Sequence, residues 1–281
     1  MRLDTRLHDR DNAGLKYVYP VVSRRARGVS VGVNLNPNNA CNWRCIYCQV
    51  PNLVPGVAPE IDLDLLESEL DRMLGALVQG DYMERHVPAG ARRLNDVAIS
   101  GNGESTTSPQ LPEVLRRIAR SMESLGLLGE TKLVLITNGS LVHRPHVQEA
   151  LRLMAGMRGE VWYKLDSATA EGQAQLNDAH AGIARAEQNL RTAAVLCPTW
   201  LQTCVLELDG EPPSAAERRA YLKLVARLVA DEVPLRGVLL YGLERKSYQP
   251  EAPRLGKLPA EWLEAFAREI ETAGLAVQVS P

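Results

Sequence analysis

The stretch NACNWRCIYCQ, residues 39–49, places three cysteines within eight residues, at Cys41, Cys45 and Cys48. Thiolates are soft ligands that suit zinc, copper or iron–sulfur centres. The spacing, with three and then two intervening residues, allows one short loop to wrap all three around a compact centre. Because three protein ligands leave one metal position open, the pattern favours a catalytic centre over a structural one.

The composition indicates an ordinary globular protein of 281 residues, with 45% hydrophobic and 23% charged residues. Its formal net charge of −2 provides no global field that would favour nucleic acid or an anionic membrane. No apolar run approaches the ~20 residues of a membrane span, and the charged N-terminus does not resemble a secretory signal. We therefore expect a cytoplasmic protein without membrane contact, whose five cysteines do not form a disulfide framework.

Strand-like and helix-like patterns alternate along the chain, which predicts an α/β fold with parallel strands and right-handed crossovers. Six main strand–helix units predict a partial (β/α)6-type barrel. The predicted strands cover 29–36, 94–100, 132–137, 160–166, 200–208 and 236–241, with a short last strand at 275–279. The predicted helices cover 62–78, 145–154, 181–194 and 259–273, and two more begin at Ser108 and Ser214. Ser108 and Pro109 suit the N-cap and the first helical position of one of them, and Ser214 with Glu217 matches a capping box at the start of the other. Cys204, in the predicted strand 200–208, is expected to be a buried apolar residue. We expect an N-terminal flank (1–28), the barrel (29–245) and a C-terminal helix and strand packed on it (246–281).

The cysteine motif resembles the signature of the radical S-adenosylmethionine (radical SAM) superfamily, with the aromatic Tyr47 before the last cysteine. The run Gly101–Glu104 (GNGE) follows the second predicted strand, where that superfamily has its Gly-Gly-Glu-type motif. Together with the strand–helix order, the resemblance covers roughly residues 29–245. It implies a [4Fe–4S] cluster on Cys41, Cys45 and Cys48, with S-adenosylmethionine chelating the fourth iron. It also implies a one-electron donor such as flavodoxin or ferredoxin, and a 5′-deoxyadenosyl radical that abstracts hydrogen from a substrate.

The resemblance also implies residues that bind S-adenosylmethionine. Gly101, Asn102 and Gly103 would hold its amino group through backbone carbonyls, with Glu104 beside them; glycines permit the sharp turn. Asn102 stands where the superfamily often has glycine. For Glu104, the alternative is a carboxylate at the surface or at the approach to a helix.

Polar residues at later strand ends are further candidates for the cofactor site. Lys164 and Asp166 share one strand face, where charges need partners, so they bind the cofactor together with Ser167 or form a structural ion pair. Asn138 and Gln202 are candidates of the same kind, and their alternatives are a turn residue and a satisfied polar side chain. Two further asparagines before the cluster loop either face the barrel interior or shape the turn at Pro37; they are Asn34 and Asn36.

Within the superfamily, the motifs resemble those of the group that contains the tRNA wyosine-base enzyme, 4-demethylwyosine synthase. This chain departs from that group because no cysteine precedes Cys41, whereas that enzyme has upstream cysteines for a second cluster. Residues 1–30 contain seven Lys/Arg and three Asp, a net +4, which suits either RNA phosphates or a solvated flank.

Three functional hypotheses remain open at this point. The first is a single-cluster radical enzyme that acts on an unidentified substrate such as a small molecule. The second is a radical enzyme that modifies tRNA or another macromolecule. The third is a non-catalytic iron–sulfur or zinc protein.

Overall fold

The computed structural model describes residues 13–23 and 28–280, and the chain forms two compact units. Unit 1 comprises Met1–Asn42, Gly56–Ile136 and Arg144–Glu160. Unit 2 comprises Trp43–Pro55, Thr137–His143 and Val161–Pro281. Among the charged residues that make the N-terminus basic, only Lys16 is described. The others lie outside the described residues: Arg2, Asp4, Arg6, Asp9, Arg10, Asp11, Arg24, Arg25 and Arg27.

The strands and helices follow the predicted alternation. The strands are β1 Val18–Ser23, β2 Gly28–Val33, β3 Ala40–Cys41, β4 Val54–Pro55, β5 Leu94–Ile99, β6 Lys132–Thr137, β7 Gly159–Lys164, β8 Thr199–Val205, β9 Glu207–Leu208, β10 Leu235–Gly242, β11 Leu255–Gly256 and β12 Val277–Ser280. The helices are α1 Leu63–Val78, α2 Tyr82–His86, α3 Leu111–Ser124, α4 Pro145–Ala155, α5 Ala170–Asn177, α6 Ile183–Leu196, α7 Ala215–Ala230 and α8 Ala260–Thr272.

Unit 1 contains the sheet order β1-β2-β5-β6, in which β2, β5 and β6 run parallel. All six residues of β2 are buried, as in a parallel strand covered on both faces. The sequence analysis missed β1, which pairs antiparallel with β2 within the segment predicted as a flank. Pro20 interrupts its strand pattern, and β1 tolerates this proline because it lies at the sheet edge.

The start of α3 differs from the prediction. Ser108 is not its N-cap; the helix begins at Leu111 after Gln110. A short 3-10 helix occupies Ser105–Thr107 instead, capped by the Glu104 carboxylate, and the Ser108 N–H bonds to the Ser105 carbonyl. Because of this turn, α3 begins at Leu111, two residues after the predicted first helical position at Pro109.

Unit 2 contains the parallel order β7-β8-β10-β12 and a small antiparallel pair of β9 and β11. The predicted N-cap of α7 is confirmed, because Ser214 Oγ accepts the Glu217 N–H at 3.2 Å. The reciprocal half of the predicted capping box is replaced by other contacts of the Glu217 carboxylate, which accepts hydrogen bonds from Ser167 and Thr169. The α/β class with parallel main strands is therefore confirmed within each unit, with β1 as the antiparallel exception.

A buried carboxylate on α1 fixes the start of the described chain. Glu69 is only 7% exposed, and its two oxygens accept the backbone N–H groups of Lys16 and Tyr17, each at 2.8 Å. We expect Glu69→Gln to lower the free energy of unfolding by about 1–3 kcal/mol, because the new amide turns a donor toward a backbone N–H. Denaturant titration followed by circular dichroism measures the change.

Asp71→Asn is the matched control, since Asp71 is exposed on the same helix. Its expected effect stays within about 0.5 kcal/mol. Equal stability of Glu69→Gln and the control variant would contradict the anchoring role of Glu69.

Candidate active site

The three motif cysteines are half-buried, and none of them is in a disulfide. Cys41 ends β3 in unit 1, where its carbonyl accepts the Gly56 N–H at 3.0 Å. Cys45 and Cys48 lie in unit 2, and the Cys48 N–H donates to the Cys45 carbonyl at 2.9 Å. No disulfide therefore competes with a metal for these three sulfurs. The donor set fits the iron–sulfur cluster that the motif implies.

One of the motif cysteines has a polar partner that the sequence analysis missed. The Asn177 side-chain amide, at the end of α5, lies 3.3 Å from Cys45 Sγ and donates to it. Hydrogen bonds to ligand sulfurs are one of the means by which a protein tunes an iron–sulfur centre. No pattern in the sequence indicated Asn177, because α5 was not predicted.

Asp166 is the hub of the polar network in unit 2, with a side chain that is 0% exposed. Its Oδ2 accepts hydrogen bonds from Tyr47 Oη and from Asn177 Nδ2, the latter at 2.7 Å. Its Oδ1 accepts the Cys204 N–H at 2.9 Å. The carboxylate thus connects the cysteine loop, α5 and β8 within one unit.

Lys164 supplies the positive charge of this network. Its Nζ lies 3.9 Å from Asp166 Oδ2 and 3.2 Å from Tyr241 Oη. The same ammonium group stands over the Tyr47 ring, 4.9 Å from its centroid, which adds a cation–π contact. The predicted pairing of Lys164 with Asp166 is present, and it brings both residues close to Tyr47 of the cysteine motif.

Burial controls the protonation states at this site. It raises the pKa of the Cys45 thiol to about 11, with the nearby Lys164 charge opposing the shift. Burial also raises the pKa of Tyr47 well above its usual value. For Lys164, burial acts to lower the pKa, but the Asp166 carboxylate and neighbouring groups outweigh it, so its pKa lies above the usual value. Lys164 is therefore a cation, and a metal that binds Cys45 must displace a proton.

Of the three other predicted residues of unit 2, Ser167 and Asn138 bond to neighbouring protein groups, whereas the Gln202 side-chain nitrogen does not. Ser167 Oγ donates to Glu217 Oε2 at 2.6 Å, next to the start of α7. Asn138 Oδ1 accepts the Ser140 N–H at 3.0 Å, which is the turn geometry named as its alternative. Gln202 lies opposite Lys164 in the β7–β8 register and is buried, but its Nε2 has no protein partner.

In unit 1, one amide oxygen organises the approach to the cluster motif. Asn34 Oδ1 accepts the backbone N–H groups of Asn36 and Asn102, both at 3.0 Å. Asn36 Nδ2 in turn donates to the Ala40 carbonyl at 2.9 Å, next to Cys41. The two asparagines therefore shape the turn before the cysteines and also connect it with the Gly101–Gly103 turn.

The glycines of that turn are required by close backbone packing. A Cβ at Gly103 would stand 1.9 Å from the Ala40 carbonyl oxygen, and one at Gly101 would stand 2.2 Å from Asn34 Oδ1. Asn102 points elsewhere, and its Nδ2 donates to Asn39 Oδ1 at 2.6 Å. Glu104 is 3% exposed, and its Oε1 accepts from the Thr106 N–H and hydroxyl. The predicted contact of Glu104 with a cofactor stays a prediction.

A cavity of about 240 Å³ adjoins the Asp166 network in unit 2. Asp166 and Cys204 form part of its wall, together with apolar side chains of α5, β9 and α8 and the polar start of α7. Cys204, interpreted from sequence as a buried apolar residue, is 3% exposed, and burial raises the pKa of its thiol.

The described residues contain neither a group of side chains suited to a single metal ion nor a helix suited to span a membrane. Within 13–23 and 28–280, no three or more His, Cys, Asp or Glu side chains converge to hold a single metal ion. A [4Fe–4S] cluster binds its thiolates on separate irons, so this finding concerns mononuclear sites. None of the described helices combines the length and the apolar character that crossing a membrane requires.

Sequence comparison gives a partial match. No family model matches the chain. It is 32% identical over 136 residues to a "UPF0026 protein" of Helicobacter pylori, a match that covers 47% of this chain and 38% of that protein. The chain thus spans less than half the length of this curated relative.

Solved structures match a larger part of the chain than the sequence relative does. A radical SAM methyltransferase from Sphaerobacter thermophilus matches with a TM-score of 0.62 and 15% identity, covering 90% of this chain and 66% of that one. This likeness shows the fold, which is the partial-barrel α/β fold of radical SAM enzymes, as predicted. TYW1 with a lysine–pyruvate adduct bound matches with a TM-score of 0.56 and 13% identity, covering 88% and 74%. The predicted resemblance to radical SAM enzymes, TYW1 among them, is thus borne out for the fold alone.

Loss of the Asn34 oxygen should destabilise unit 1. We expect Asn34→Ala to lower the free energy of unfolding by about 2 kcal/mol, because two backbone N–H groups lose their acceptor in a site where Asn34 is 4% exposed. Asn38→Ala, in the same turn but exposed, should cost less than about 1 kcal/mol. Thermal and urea unfolding of both variants measure the difference, and equal losses would contradict the role of Asn34.

Removal of the Asp166 carboxylate should lower the free energy of unfolding more than removal of the Asn34 side chain does. Asp166→Ala leaves the Lys164 ammonium and three hydrogen-bond donors without their acceptor, so we expect a loss of about 3–5 kcal/mol in unfolding free energy. Asp178→Ala is the control, because Asp178 forms a 3.5 Å ion pair with Arg44 at a side chain that is 46% exposed. Its expected cost is below about 1 kcal/mol. A small effect of Asp166→Ala on urea unfolding would show that the network contributes little.

Proposed function

We propose that this protein is a radical SAM enzyme whose Cys41, Cys45 and Cys48 hold a [4Fe–4S] cluster. The observation that carries the proposal is a motif of three half-buried cysteines, none in a disulfide, on a chain that has the radical SAM fold. Three thiolate ligands leave one iron for a ligand that is not protein. Bound there, S-adenosylmethionine would supply a 5′-deoxyadenosyl radical on one-electron reduction, for hydrogen abstraction from a substrate.

The polar network of unit 2 supports the proposal, because it surrounds a cluster ligand with groups that suit a charged cofactor. Lys164 and Asp166 present an ammonium and a carboxylate close to Tyr47, one residue from Cys48. We propose that these two residues bind the polar groups of S-adenosylmethionine. Gln202 is proposed as a third contact because its buried Nε2 has no protein partner.

The turn at residues 101–103 of unit 1 would bind the amino group of S-adenosylmethionine. Gly101, Asn102 and Gly103 are half-buried, so their backbone carbonyls remain within reach of a ligand. Asn34 holds the turn through the Asn102 N–H. The remaining predicted residues, Glu104, Asn138 and Ser167, already bond to the protein, and we give them supporting positions around the site.

The proposed partners follow from the chemistry. A one-electron donor such as flavodoxin or ferredoxin would reduce the cluster, and a cytoplasmic location would keep the thiols reduced. The leading proposal leaves the substrate unidentified, with a small molecule as its first candidate. Modification of tRNA is the second candidate, favoured by the fold likeness to TYW1 and by the basic N-terminal residues. Binding to tRNA that weakens steeply with salt would favour this second candidate.

Substitution of one ligand tests the proposed function. After anaerobic reconstitution, we expect wild-type protein to contain iron and sulfide and to form 5′-deoxyadenosine with dithionite and S-adenosylmethionine. Cys45→Ala should lose normal cluster content and this product, because a ligand thiolate is missing, while its circular dichroism stays unchanged. Metal analysis and chromatography of the product measure both quantities.

Cys197→Ala is the matched control, since Cys197 is a cysteine of the same unit that is in no disulfide, is 2% exposed and lies outside the motif. It should keep both the cluster and the product. Normal iron and sulfide in Cys45→Ala would contradict the ligand assignment. Zinc in wild-type protein, without cofactor cleavage, would favour the non-catalytic alternative.

A further inference from the structure

We infer that Ser247 is a positioning residue for the cysteine loop, acting with Tyr248 and Gln249 as a clamp on the loop backbone. The clamp, defined as Ser247–Gln249, lies in unit 2 with Cys45 and Cys48 and far from them in sequence. This inference rests on the proposed function, because the loop it fastens carries two of the three cluster ligands. No periodicity or motif in the sequence points to these residues.

The loop contains no long regular element, so its backbone groups need partners from elsewhere. On the N–H side, α5 provides them. The Arg44 N–H donates to the Asn177 carbonyl at 3.1 Å, and the Ile46 N–H donates to the Leu176 carbonyl at 2.9 Å. These carbonyls belong to the last turn of α5, where carbonyl groups lack intrahelical partners.

On the carbonyl side, the clamp provides the partners. Ser247 Oγ donates to the Ile46 carbonyl at 2.7 Å and also approaches the Cys48 carbonyl at 3.3 Å. The Tyr248 N–H donates to the Cys48 carbonyl at 2.9 Å. Ile46 is consequently bonded through its N–H to α5 and through its carbonyl to Ser247. The segment between Cys45 and Cys48 is therefore held at both edges.

Ser247 is suited to this position because a hydroxyl can donate and accept at once. While its proton is directed at the loop carbonyls, Ser247 Oγ accepts the Gln249 N–H at 3.0 Å. That bond folds the clamp so that Gln249 Nε2 reaches the Val50 carbonyl at 3.4 Å. Ser247 is 3% exposed, so water cannot readily replace the lost hydroxyl.

An ion pair near the surface also joins the cysteine loop to the segment that follows the clamp. Arg44 Nη1 bonds to both oxygens of Glu251, at 3.0 and 2.9 Å. Because the Arg44 side chain is 41% exposed, this pair contributes less than the buried hydroxyl. We therefore assign the positioning of Cys48 to the buried hydrogen bonds of Ser247. The position of Cys48 in turn sets where its sulfur lies as a proposed cluster ligand.

Thiol reactivity in cluster-free protein tests the clamp without relying on activity. Wild type, Ser247→Ala and Ser247→Thr are reduced, freed of metal and treated with iodoacetamide, and labelling of each cysteine is followed by peptide mass spectrometry. We expect Cys48 to react about fivefold faster in Ser247→Ala, the effect of one hydrogen bond on a local opening equilibrium. Ser247→Thr, which keeps the hydroxyl, should restore the slow rate.

Two controls separate a local role from general loosening. Ser124→Ala removes a serine hydroxyl that bonds a backbone carbonyl at 2.9 Å in unit 1, and it should leave Cys48 reactivity unchanged. Buried Cys197 is the internal reference. An unchanged Cys48 rate in Ser247→Ala, or an equal rise at Cys197, would overturn the inference.

Reconstituted protein then reports on the cluster. We expect iron loss to a chelator to be about fivefold faster in Ser247→Ala and the electron paramagnetic resonance line shape of the reduced cluster to change. Wild-type rates and spectra in this variant would overturn the positioning role. If wild-type protein assembles no cluster at all, the proposed function fails, while the labelling rates still decide whether Ser247 clamps the loop.

Discussion

A carboxylate that is completely removed from solvent must be surrounded by donors, and in this protein Asp166 meets that requirement with groups from three different parts of unit 2. Tyr47 comes from the cysteine motif, Asn177 from the end of α5, and the Cys204 N–H from β8. Lys164 balances the charge from the neighbouring strand. These four partners come from separate segments of the chain, and only Lys164 is near Asp166 itself. The carboxylate therefore specifies how the elements of unit 2 meet around Cys45.

Unit 1 uses the same principle with a neutral group. The Asn34 side-chain oxygen accepts two backbone N–H groups, one before the cysteines and one in the glycine-rich turn. An amide oxygen has two lone pairs, so it can satisfy both donors without the desolvation cost of a buried charge. In each unit, then, a polar side chain behind a strand end determines the path of a segment that carries a motif.

The sequence predicted the strands and most helices well because their apolar residues recur with clear periods. It also predicted the Lys164–Asp166 pair, since strand alternation places both residues on one face without knowledge of contacts. The assignment of the three cysteines as cluster ligands stays a prediction. It missed β1, whose Pro20 interrupts the pattern, and α5, a short helix with little amphipathic character. It therefore also missed Asn177.

Other parts of the site were beyond sequence reasoning for a different reason. Ser247 and Asn177 act through contacts with residues far away in the chain, 199 residues for Ser247 and Cys48 and 132 for Asn177 and Cys45. Glu217 matched a capping box, yet its carboxylate bonds to Ser167 and Thr169 across the fold. Local patterns cannot distinguish such partners, because several distant groups compete for the same side chain.

The tight turn at residues 101–103 has a practical consequence for finding related proteins. Gly101 and Gly103 admit no side chain, whereas the Asn102 side chain is accommodated by a bond to Asn39. A sequence pattern written with two adjacent glycines would pass over this chain, because Asn102 separates Gly101 from Gly103. A pattern that fixes the first and third positions and leaves the middle one open would recover it, together with any homologue that has made the same exchange.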